Sequence, residues 1–131
     1  MKILVVDDCQ TTRKLIGLYL KAKGLDVVPA ENGLDALEKL ATEDINIILS
    51  DINMPYMDGI EFLKALRADP KWSEIPVFMV TTEADPEEME RAYNVGANDY
   101  LVKPVTAEQV MVVIKKLLKE TFSKAGLHAR S

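Results

Sequence analysis

Sulfur and imidazole side chains are almost absent from this 131-residue sequence, which has one cysteine and one histidine. A single cysteine, Cys9, excludes an internal disulfide and fits a reducing compartment. The only histidine, His128, lies in a polar C-terminal stretch, so a histidine-based catalytic pair and a zinc site are not expected. The chemistry of this chain must therefore come mainly from carboxylates, hydroxyls and amines.

Long hydrophobic runs and an excess of basic residues are also lacking. Hydrophobic residues make up 48% of the chain, but no apolar run approaches the roughly 20 residues of a membrane-spanning helix. The N-terminal apolar run is too short for a signal peptide. The net charge of −5 disfavours nucleic acid, because phosphate binding needs clustered lysine and arginine. We therefore expect a cytoplasmic protein with no membrane insertion and no nucleic-acid partner.

Apolar strand-like segments alternate with helix-like segments along the chain. This alternation is typical of a parallel sheet with helices on both faces. We therefore predict a single-domain, doubly wound (βα)5 fold of the α/β class, with a five-stranded parallel sheet. The predicted strands are 2–6, 26–29, 45–50, 77–81 and 99–102, and the predicted helices are 11–23, 34–42, 59–68, 86–95 and 107–120. The domain should span 1–122, and 123–131 should be a polar tail, either a flexible native end or a cloning remnant.

Two of the predicted helices carry an apolar stripe that can be read from the sequence. In the first helix, the i, i+3, i+4, i+7 pattern is formed by Leu15, Leu18, Tyr19 and Ala22. In the last helix, the stripe that should be buried consists of Val110, Val113, Ile114, Leu117 and Leu118. Met111 and Val112 widen this second stripe, which either covers a sheet edge or docks a partner.

Acidic residues and one lysine follow or end the predicted strands. Asp7 and Asp8 follow the first strand, Asp51 the third and Lys103 the fifth. Because open α/β sheets bind ligands at the carboxyl ends of their strands, we expect these side chains to form one site. Carboxylate oxygens without histidine or cysteine select Mg²⁺ over zinc. A carboxylate such as Asp51 can also accept a phosphoryl group, with Lys103 and the hydroxyl of Thr81 on its oxygens. Simple helix capping is the alternative role of these acids, and the alignment of several strand ends disfavours it.

The motifs around these positions carry a family resemblance. They comprise residues 4–8, 51–59, 76–81 and 96–100, and the pair Lys103-Pro104. Over roughly residues 2–120 the sequence resembles the receiver domain of two-component response regulators, in its stand-alone CheY-like form. The resemblance, and not the residue pattern, implies a flavodoxin-like fold with strand order 2-1-3-4-5.

The resemblance implies a phosphorylation site and a metal site that share residues. Asp51 would be the phosphoacceptor, which takes a phosphoryl group from the phosphohistidine of a sensor histidine kinase. The implied cofactor is Mg²⁺, with Mn²⁺ as the alternative ion. Its ligands would be the carboxylates of Asp8 and Asp51, Asp7 mainly through water, and the backbone carbonyl of Asn53.

The resemblance also assigns roles to residues at the ends of the fourth and fifth strands. Thr81, Thr82 and Lys103 would bind the phosphoryl oxygens. Tyr100 would turn inward when Thr81 moves toward the phosphate, which makes these two residues the switch. The Lys103–Pro104 peptide bond would be cis, an isomer that is energetically accessible only before proline.

Three positions are implied to affect the lifetime of the phosphate. Asn53 and Glu83 would flank the path of a hydrolytic water and tune dephosphorylation. Thr82 stands where many relatives have alanine, and a larger β-branched side chain there would narrow access to the phosphoryl group. The rates of phosphorylation and hydrolysis are left open by the sequence.

The expected function is phosphorylation-dependent signalling by a stand-alone response regulator, of the chemotaxis type. The protein would not be an enzyme, although its self-phosphorylation and autodephosphorylation would depend on Mg²⁺. It would be a monomer or weak dimer. Its output partner, a flagellar-motor or phosphotransfer protein, would bind the face of the fourth helix, fifth strand and fifth helix.

Three alternative functions are weighed against this one. A phosphorelay intermediate would pass the phosphoryl group from Asp51 to a histidine phosphotransferase. A phosphate-independent scaffold would not need an intact acceptor site. A haloacid-dehalogenase-type phosphatase would need an acid two residues after its nucleophile, where this chain has Asn53.

Overall fold

Strands and helices alternate through the whole chain in a computed structural model. The structure describes residues 1–82 and 85–119 in full, and 120–130 as helical backbone only. All five predicted strand–helix units are found, with small shifts at their ends. In chain order the elements are β1 Lys2–Val6, α1 Gln10–Ala22, β2 Asp26–Ala30, α2 Gly33–Thr42, β3 Ile47–Asp51, α3 Gly59–Ala68, β4 Val77–Thr81, α4 Pro86–Val95, β5 Asp99–Val102 and α5 Ala107–Arg130.

The five strands form one parallel sheet in the order β2-β1-β3-β4-β5. This result confirms the predicted doubly wound α/β fold and the strand order implied by the resemblance. The chain winds in one direction from β1 to β2 and in the other from β3 to β5. A crevice for a ligand therefore opens at the carboxyl ends of β1 and β3, where the direction reverses.

Two hydrophobic clusters cover the two faces of the sheet. Successive residues of β1, such as Ile3 and Leu4, belong to different clusters, as the two-residue period of a strand requires. One cluster contains apolar residues of α1 and α5, and the other contains those of α2, α3 and α4. β3 and β4 are buried along their whole length. They read as continuous apolar runs because helices cover both faces.

The apolar stripe predicted for α1 is wrong. Leu15 and Leu18 are 44% and 63% exposed, whereas Ile16 and Leu20 are buried against the sheet. The pattern was misleading because α1 has two overlapping apolar faces. Ile16 and Leu20, four residues apart, form a second face one residue along from Leu15, and only one of the two faces can contact the core. In α5 the prediction fails only at Leu118, which is exposed, while Val110, Val113 and Ile114 are buried and Leu117 packs at the edge of the core.

The last helix begins with a capping box formed by Thr106 and Gln109. The backbone N–H groups of Thr106 and Gln109 each donate to the other's side chain, at 3.1 and 3.2 Å. The helical backbone continues past the predicted end at Glu120 to Arg130. The predicted boundary at 122 and tail at 123–131 lie outside the fully described residues and stay predictions. Within the described part of the chain, no helix has the length and apolar character that crossing a membrane requires.

Candidate functional site

Three carboxylates meet at the carboxyl ends of β1 and β3. Val6 pairs with Ser50 in the ladder between these strands, so Asp7 and Asp51 come next to each other at its end. Asp7 and Asp51 are buried, Asp8 is exposed, and one oxygen from each lies within 4.8 Å of the others. Such crowding is unfavourable unless a positive charge or a proton neutralises the carboxylates.

Lys103 brings the only positive charge that forms an ion pair with these acids within residues 1–82 and 85–119. Its Nζ lies 2.9 Å from Oδ2 of Asp7 and 3.3 Å from Oδ2 of Asp51. The predicted meeting of the acids and the lysine at one edge of the sheet is therefore found in the structure. Three carboxylates against one ammonium leave a formal charge of −2 (−3 + 1) at this edge.

The pKa values at the site reflect burial and crowding. Burial raises the pKa of Asp51, and nearby Asp7 raises it further, against the attraction of Lys103 and a weak hydrogen bond from the backbone N–H of Asn53. Burial would lower the pKa of Lys103, but hydrogen bonds and attraction to Asp7 and Asp51 outweigh it, so that the pKa is raised. The ammonium is thus held in its charged form, whereas the charge on Asp51 is costly without a further cation.

The oxygen-only donor set fits a hard divalent cation. Mg²⁺ is typically bound through one or two carboxylates together with waters and phosphate oxygens. The three aspartates offer such oxygens at close range and carry an uncompensated negative charge. In the described residues no histidine or cysteine joins the cluster, which disfavours a zinc site.

The loop after β3 is shaped by a glycine and an aspartate. A Cβ at Gly59 would overlap the carbonyl oxygen of Asp51, so only glycine allows the chain to pass this close behind the site. The Gly59 N–H donates to the carbonyl oxygen of Ile52 at 2.7 Å. Asp58 caps α3 by accepting from the N–H of Glu61 at 2.8 Å. Asp58 therefore anchors the helix and is not part of the acidic cluster.

Thr81 ends β4, and Tyr100 lies on the neighbouring strand β5, opposite the residue two positions before Thr81. Both side chains are buried. Burial raises the pKa of Tyr100, and a hydrogen bond with the Thr81 side chain partly offsets this effect. The backbone also joins the two strand ends, because the N–H of Lys103 donates to the carbonyl oxygen of Thr81 at 2.6 Å. The Lys103–Pro104 peptide bond is cis.

The residues that would tune the phosphate lifetime are only partly described. Asn53 and Thr82 are exposed. The backbone N–H of Asn53 lies 3.4 Å from Oδ1 of Asp51. Glu83 lies outside the described residues, so its predicted role stays a prediction.

Two contacts that hold Asp7 were missed by the sequence reasoning. The N–H of Cys9 donates to Oδ1 of Asp7 at 2.8 Å, and Nη1 of Arg13 donates to the Asp7 carbonyl oxygen at 2.6 Å. The first contact is an aspartate turn, in which the side chain accepts from the backbone two residues ahead, and its spacing was visible in the sequence. No sequence signal identified Arg13.

The fold and this edge together define a small doubly wound α/β domain with an acidic, lysine-paired site. Comparison with known proteins gives its family: the chain belongs to the response regulator receiver domain family, whose model matches residues 3–115. The resemblance noted in the sequence is thereby confirmed. Receiver domains bind Mg²⁺ at an acidic pocket, and they act with a histidine kinase and a downstream partner.

The chain is similar to chemotaxis proteins over most of its length. It is 44% identical to chemotaxis protein CheY1 of Helicobacter pylori over 110 residues, which is 82% of this chain and 89% of the relative. It is 41% identical to a CheY homologue of Campylobacter jejuni over 122 residues, 92% of this chain and 91% of that one. The solved structure of Vibrio cholerae chemotaxis protein CheY4 matches with a TM-score of 0.83 and 36% identity, covering 88% of this chain and 96% of that chain.

Proposed function

We propose that Asp51 is the phosphoacceptor of this receiver domain. The observation that carries the proposal is the cluster of Asp7, Asp8 and Asp51, in which Lys103 pairs with Asp7 and Asp51. In the reaction, a carboxylate oxygen of Asp51 attacks the phosphorus of the donor. The new O–P bond forms as the bond from phosphorus to the donor's leaving group breaks, and the electron pair leaves with that group.

Mg²⁺ would be held by the carboxylates of Asp8 and Asp51, by Asp7 through water, and by the backbone carbonyl of Asn53; Mn²⁺ is the alternative ion. When bound, the metal neutralises negative charge on the phosphoryl oxygens. Lys103 supplies the second positive charge, since its ammonium already lies between two of the acids. The hydroxyl of Thr81 and the backbone at Thr82 complete the set of groups around the phosphoryl oxygens.

The buried Thr81 side chain opposes the rise in the pKa of the buried Tyr100 phenol, and this interaction supports a role for the pair as the switch. When Thr81 turns toward the phosphoryl group, its contact with the phenol changes, and the change reaches β5 and the helices beside it. Phosphorylation thus becomes a change in packing at a surface away from Asp51. Apolar side chains exposed on α4, β5 and α5 support this face as the output surface, namely Tyr93, Val102 and Val112.

We further propose that the protein is a chemotaxis-type response regulator. The support is the extent of the similarity to proteins named as chemotaxis proteins. Its phosphodonor would be a sensor histidine kinase, and a flagellar-motor component would be the output partner. The protein would act as a monomer or weak dimer.

The test of the phosphoacceptor is incubation with acetyl phosphate and Mg²⁺, followed by intact mass measurement. We expect the mass to rise by one phosphoryl group, which hydroxylamine removes as it does other acyl phosphates. The rise should be lost in Asp51→Asn and when EDTA removes the metal. Asp44→Asn, which changes an exposed acid elsewhere, is the matched control and should still gain the phosphoryl group. A mass increase that survives Asp51→Asn would contradict the proposal.

The chemotaxis role and the relay role can be separated by the direction of transfer. The phosphorylated protein is mixed with a histidine phosphotransferase and with a flagellar-motor switch peptide. A chemotaxis-type protein should bind the peptide more tightly when phosphorylated and should transfer little phosphate to the histidine. Rapid transfer without peptide binding would favour the relay.

A further inference from the structure

A groove that takes no part in the proposed phosphorylation lies between α1 and the edge strand β2. We call it the α1–β2 groove. Its volume is about 330 Å³, and it is lined by Gly17 and Leu18 of α1 and by Val27 and Pro29 of β2. Leu18 is 63% exposed, so the groove includes a large aliphatic side chain that lies in solvent. This groove is distinct from the one on the other flank of α1, which reaches Lys103 and the phosphoacceptor site.

Gly17 is not required for the packing of α1 on the sheet. Glycine inside a helix lowers helix stability relative to alanine. A Cβ at position 17 would lie 3.7 Å from Cγ1 of Val27, which is an ordinary contact distance. The backbone of Gly17 is also not left-handed. The absence of a side chain at Gly17 makes the groove deeper, because Gly17 is one of the residues that line it.

The rim of the groove is basic in a protein that is acidic overall. It carries Arg13, Lys14 and Lys21, whereas the whole chain has a net charge of −5. Among residues 1–82 and 85–119, no carboxylate forms a salt bridge with Lys14 or Lys21. These two lysines are seven residues apart, so about 10.5 Å of helix separates them. Local charge opposite to the overall charge favours a ligand with acids at matching spacing.

We infer that the α1–β2 groove binds an acidic amphipathic helix of a partner protein. Two acidic side chains, two turns apart, pair with Lys14 and Lys21, and an apolar side chain between them packs over Gly17. A negatively charged membrane or a second copy of the chain would also face the acidic remainder of the surface and be repelled by it, whereas a single helix contacts only the groove and its basic rim.

The groove is also bonded to the backbone of the acidic site. Arg13, on its rim, donates to the carbonyl oxygen of Asp7 at 2.6 Å. The N–H of Asp7 donates at 3.1 Å to the carbonyl oxygen of Ala30, the residue after Pro29. Both α1, through Arg13, and β2, through Ala30, therefore hold the backbone of Asp7, and an occupant of the groove contacts both of these elements. The inference itself does not depend on phosphorylation and can be tested on the unmodified protein.

The experiment is an NMR titration of the ¹⁵N-labelled full chain with a synthetic helical peptide that has a leucine stripe flanked by glutamates. We expect saturable shift changes confined to α1 and β2, and binding that weakens as salt is added.

Filling the groove with Gly17→Leu, or reversing its charge with Lys14→Glu and Lys21→Glu together, should weaken binding about tenfold or more. The milder Gly17→Ala variant should give a smaller loss. The charge-matched control is Lys64→Glu with Lys115→Glu, two exposed lysines outside the groove, and it should bind like the parent.

Several results would overturn the inference. They are shift changes centred on another surface, an equal loss of binding in the control variant, and tighter binding of the same peptide with lysines in place of glutamates. Sedimentation with phosphatidylglycerol vesicles, or a dimer that Gly17→Leu dissociates, in the absence of peptide binding would also overturn it. Each variant is checked for phosphorylation of Asp51 by acetyl phosphate. A parent protein that does not bind the peptide but is phosphorylated normally counts only against the groove, and a parent protein that is not phosphorylated counts only against the proposed function.

Discussion

The two ends of the sheet use charged side chains in opposite ways. At the carboxyl end, Asp7, Asp8 and Asp51 lie close together, the ammonium of Lys103 pairs with two of them, and their negative charge is not balanced within the described residues. At the amino end, the guanidinium of Arg67 is surrounded by oxygen atoms that accept its hydrogen bonds. One end needs a cation from solution, and the other is satisfied by the protein itself.

The contacts of Arg67 join α3 to two loops, one 6 to 8 residues further along the chain and the other 29 to 31 residues further. From α3 it donates to the carbonyl oxygen of Gly96 at 3.2 and 2.9 Å, which is where α4 ends. It also donates to the carbonyl oxygens of Ser73 and Ile75 before β4, at 3.1 and 2.8 Å, and to Oδ1 of Asn98 before β5, at 3.1 Å. Such a network fixes positions, and it gains nothing from an added ligand.

The two ends of the sheet therefore contribute differently to the stability of the fold and to its ability to bind ligands. Unbalanced charge at the carboxyl end lowers the stability of the folded chain, yet it creates affinity for a cation and a phosphoryl group. The satisfied network at the amino end adds stability and has no remaining capacity to bind. Mutations at the two ends should therefore change the free energy of unfolding in opposite directions.

The largest expected effect is at the amino end. Arg67→Ala should lower the free energy of unfolding by about 3 kcal/mol, because several partly buried oxygens lose a charged donor. Urea denaturation followed by circular dichroism measures the change. Lys64→Ala, an exposed site on the same helix, is the control and should change it by less than about 0.5 kcal/mol. A loss as small for Arg67→Ala as for the control would show that water replaces the guanidinium at little cost.

The next effect is the stabilisation by Mg²⁺, which should act only through the carboxyl end. At about 100 times its dissociation constant, Mg²⁺ should raise the free energy of unfolding by about 2.7 kcal/mol. EDTA should abolish this increase, and Asp8→Asn should weaken it. Arg67→Ala should keep the full increase, even though its baseline stability is lower. If Arg67→Ala reduces the stabilisation by Mg²⁺ as much as Asp8→Asn does, the metal does not act through the carboxyl end alone.

Much of the carboxyl end was predictable from the sequence, whereas the amino end was not. Asp7, Asp51 and Lys103 each end or follow an apolar run, and the geometry of parallel sheets brings such positions together. Arg67 donates to acceptors in two loops whose positions depend on the whole fold. No periodic pattern or local motif relates those loops to α3, so the network could be seen only in the structure.

The face of α1 was the main error in the predicted fold. Leu15 and Leu18 gave an apolar spacing as regular as that of Ile16 and Leu20. Periodicity states that a helix has an apolar side but cannot choose between two overlapping sides when both carry aliphatic residues. Here the contacts with the sheet decide in favour of Ile16 and Leu20, and Leu18 from the rejected side lines the α1–β2 groove.

A smaller effect of the opposite sign is expected from Asp51→Asn. Without metal at neutral pH, this variant should raise the free energy of unfolding by about 1–2 kcal/mol, because it removes a buried charge that its surroundings disfavour. Lys103 keeps its ion pair with Asp7 at 2.9 Å. The control is Glu38→Gln, which neutralises an exposed acid on α2 and should change stability by less than about 0.5 kcal/mol. A destabilised Asp51→Asn protein would mean that the acid is held by favourable contacts, as Arg67 is.

The smallest effect is the dependence of that gain on pH. The pKa of Asp51 is raised in the folded protein above its ordinary value of 3.8, so the folded state binds a proton more readily than the unfolded state. Stability from this group is therefore fully present below pH 3.8 and is lost as the pH rises through the folded pKa. The advantage of Asp51→Asn over the parent should be constant near neutral pH, shrink as the pH falls through the folded pKa, and vanish below about 3.8. Urea denaturation of both proteins in EDTA at several pH values measures this difference, and an advantage that grows on acidification would mean that Lys103 outweighs burial in setting the pKa of Asp51.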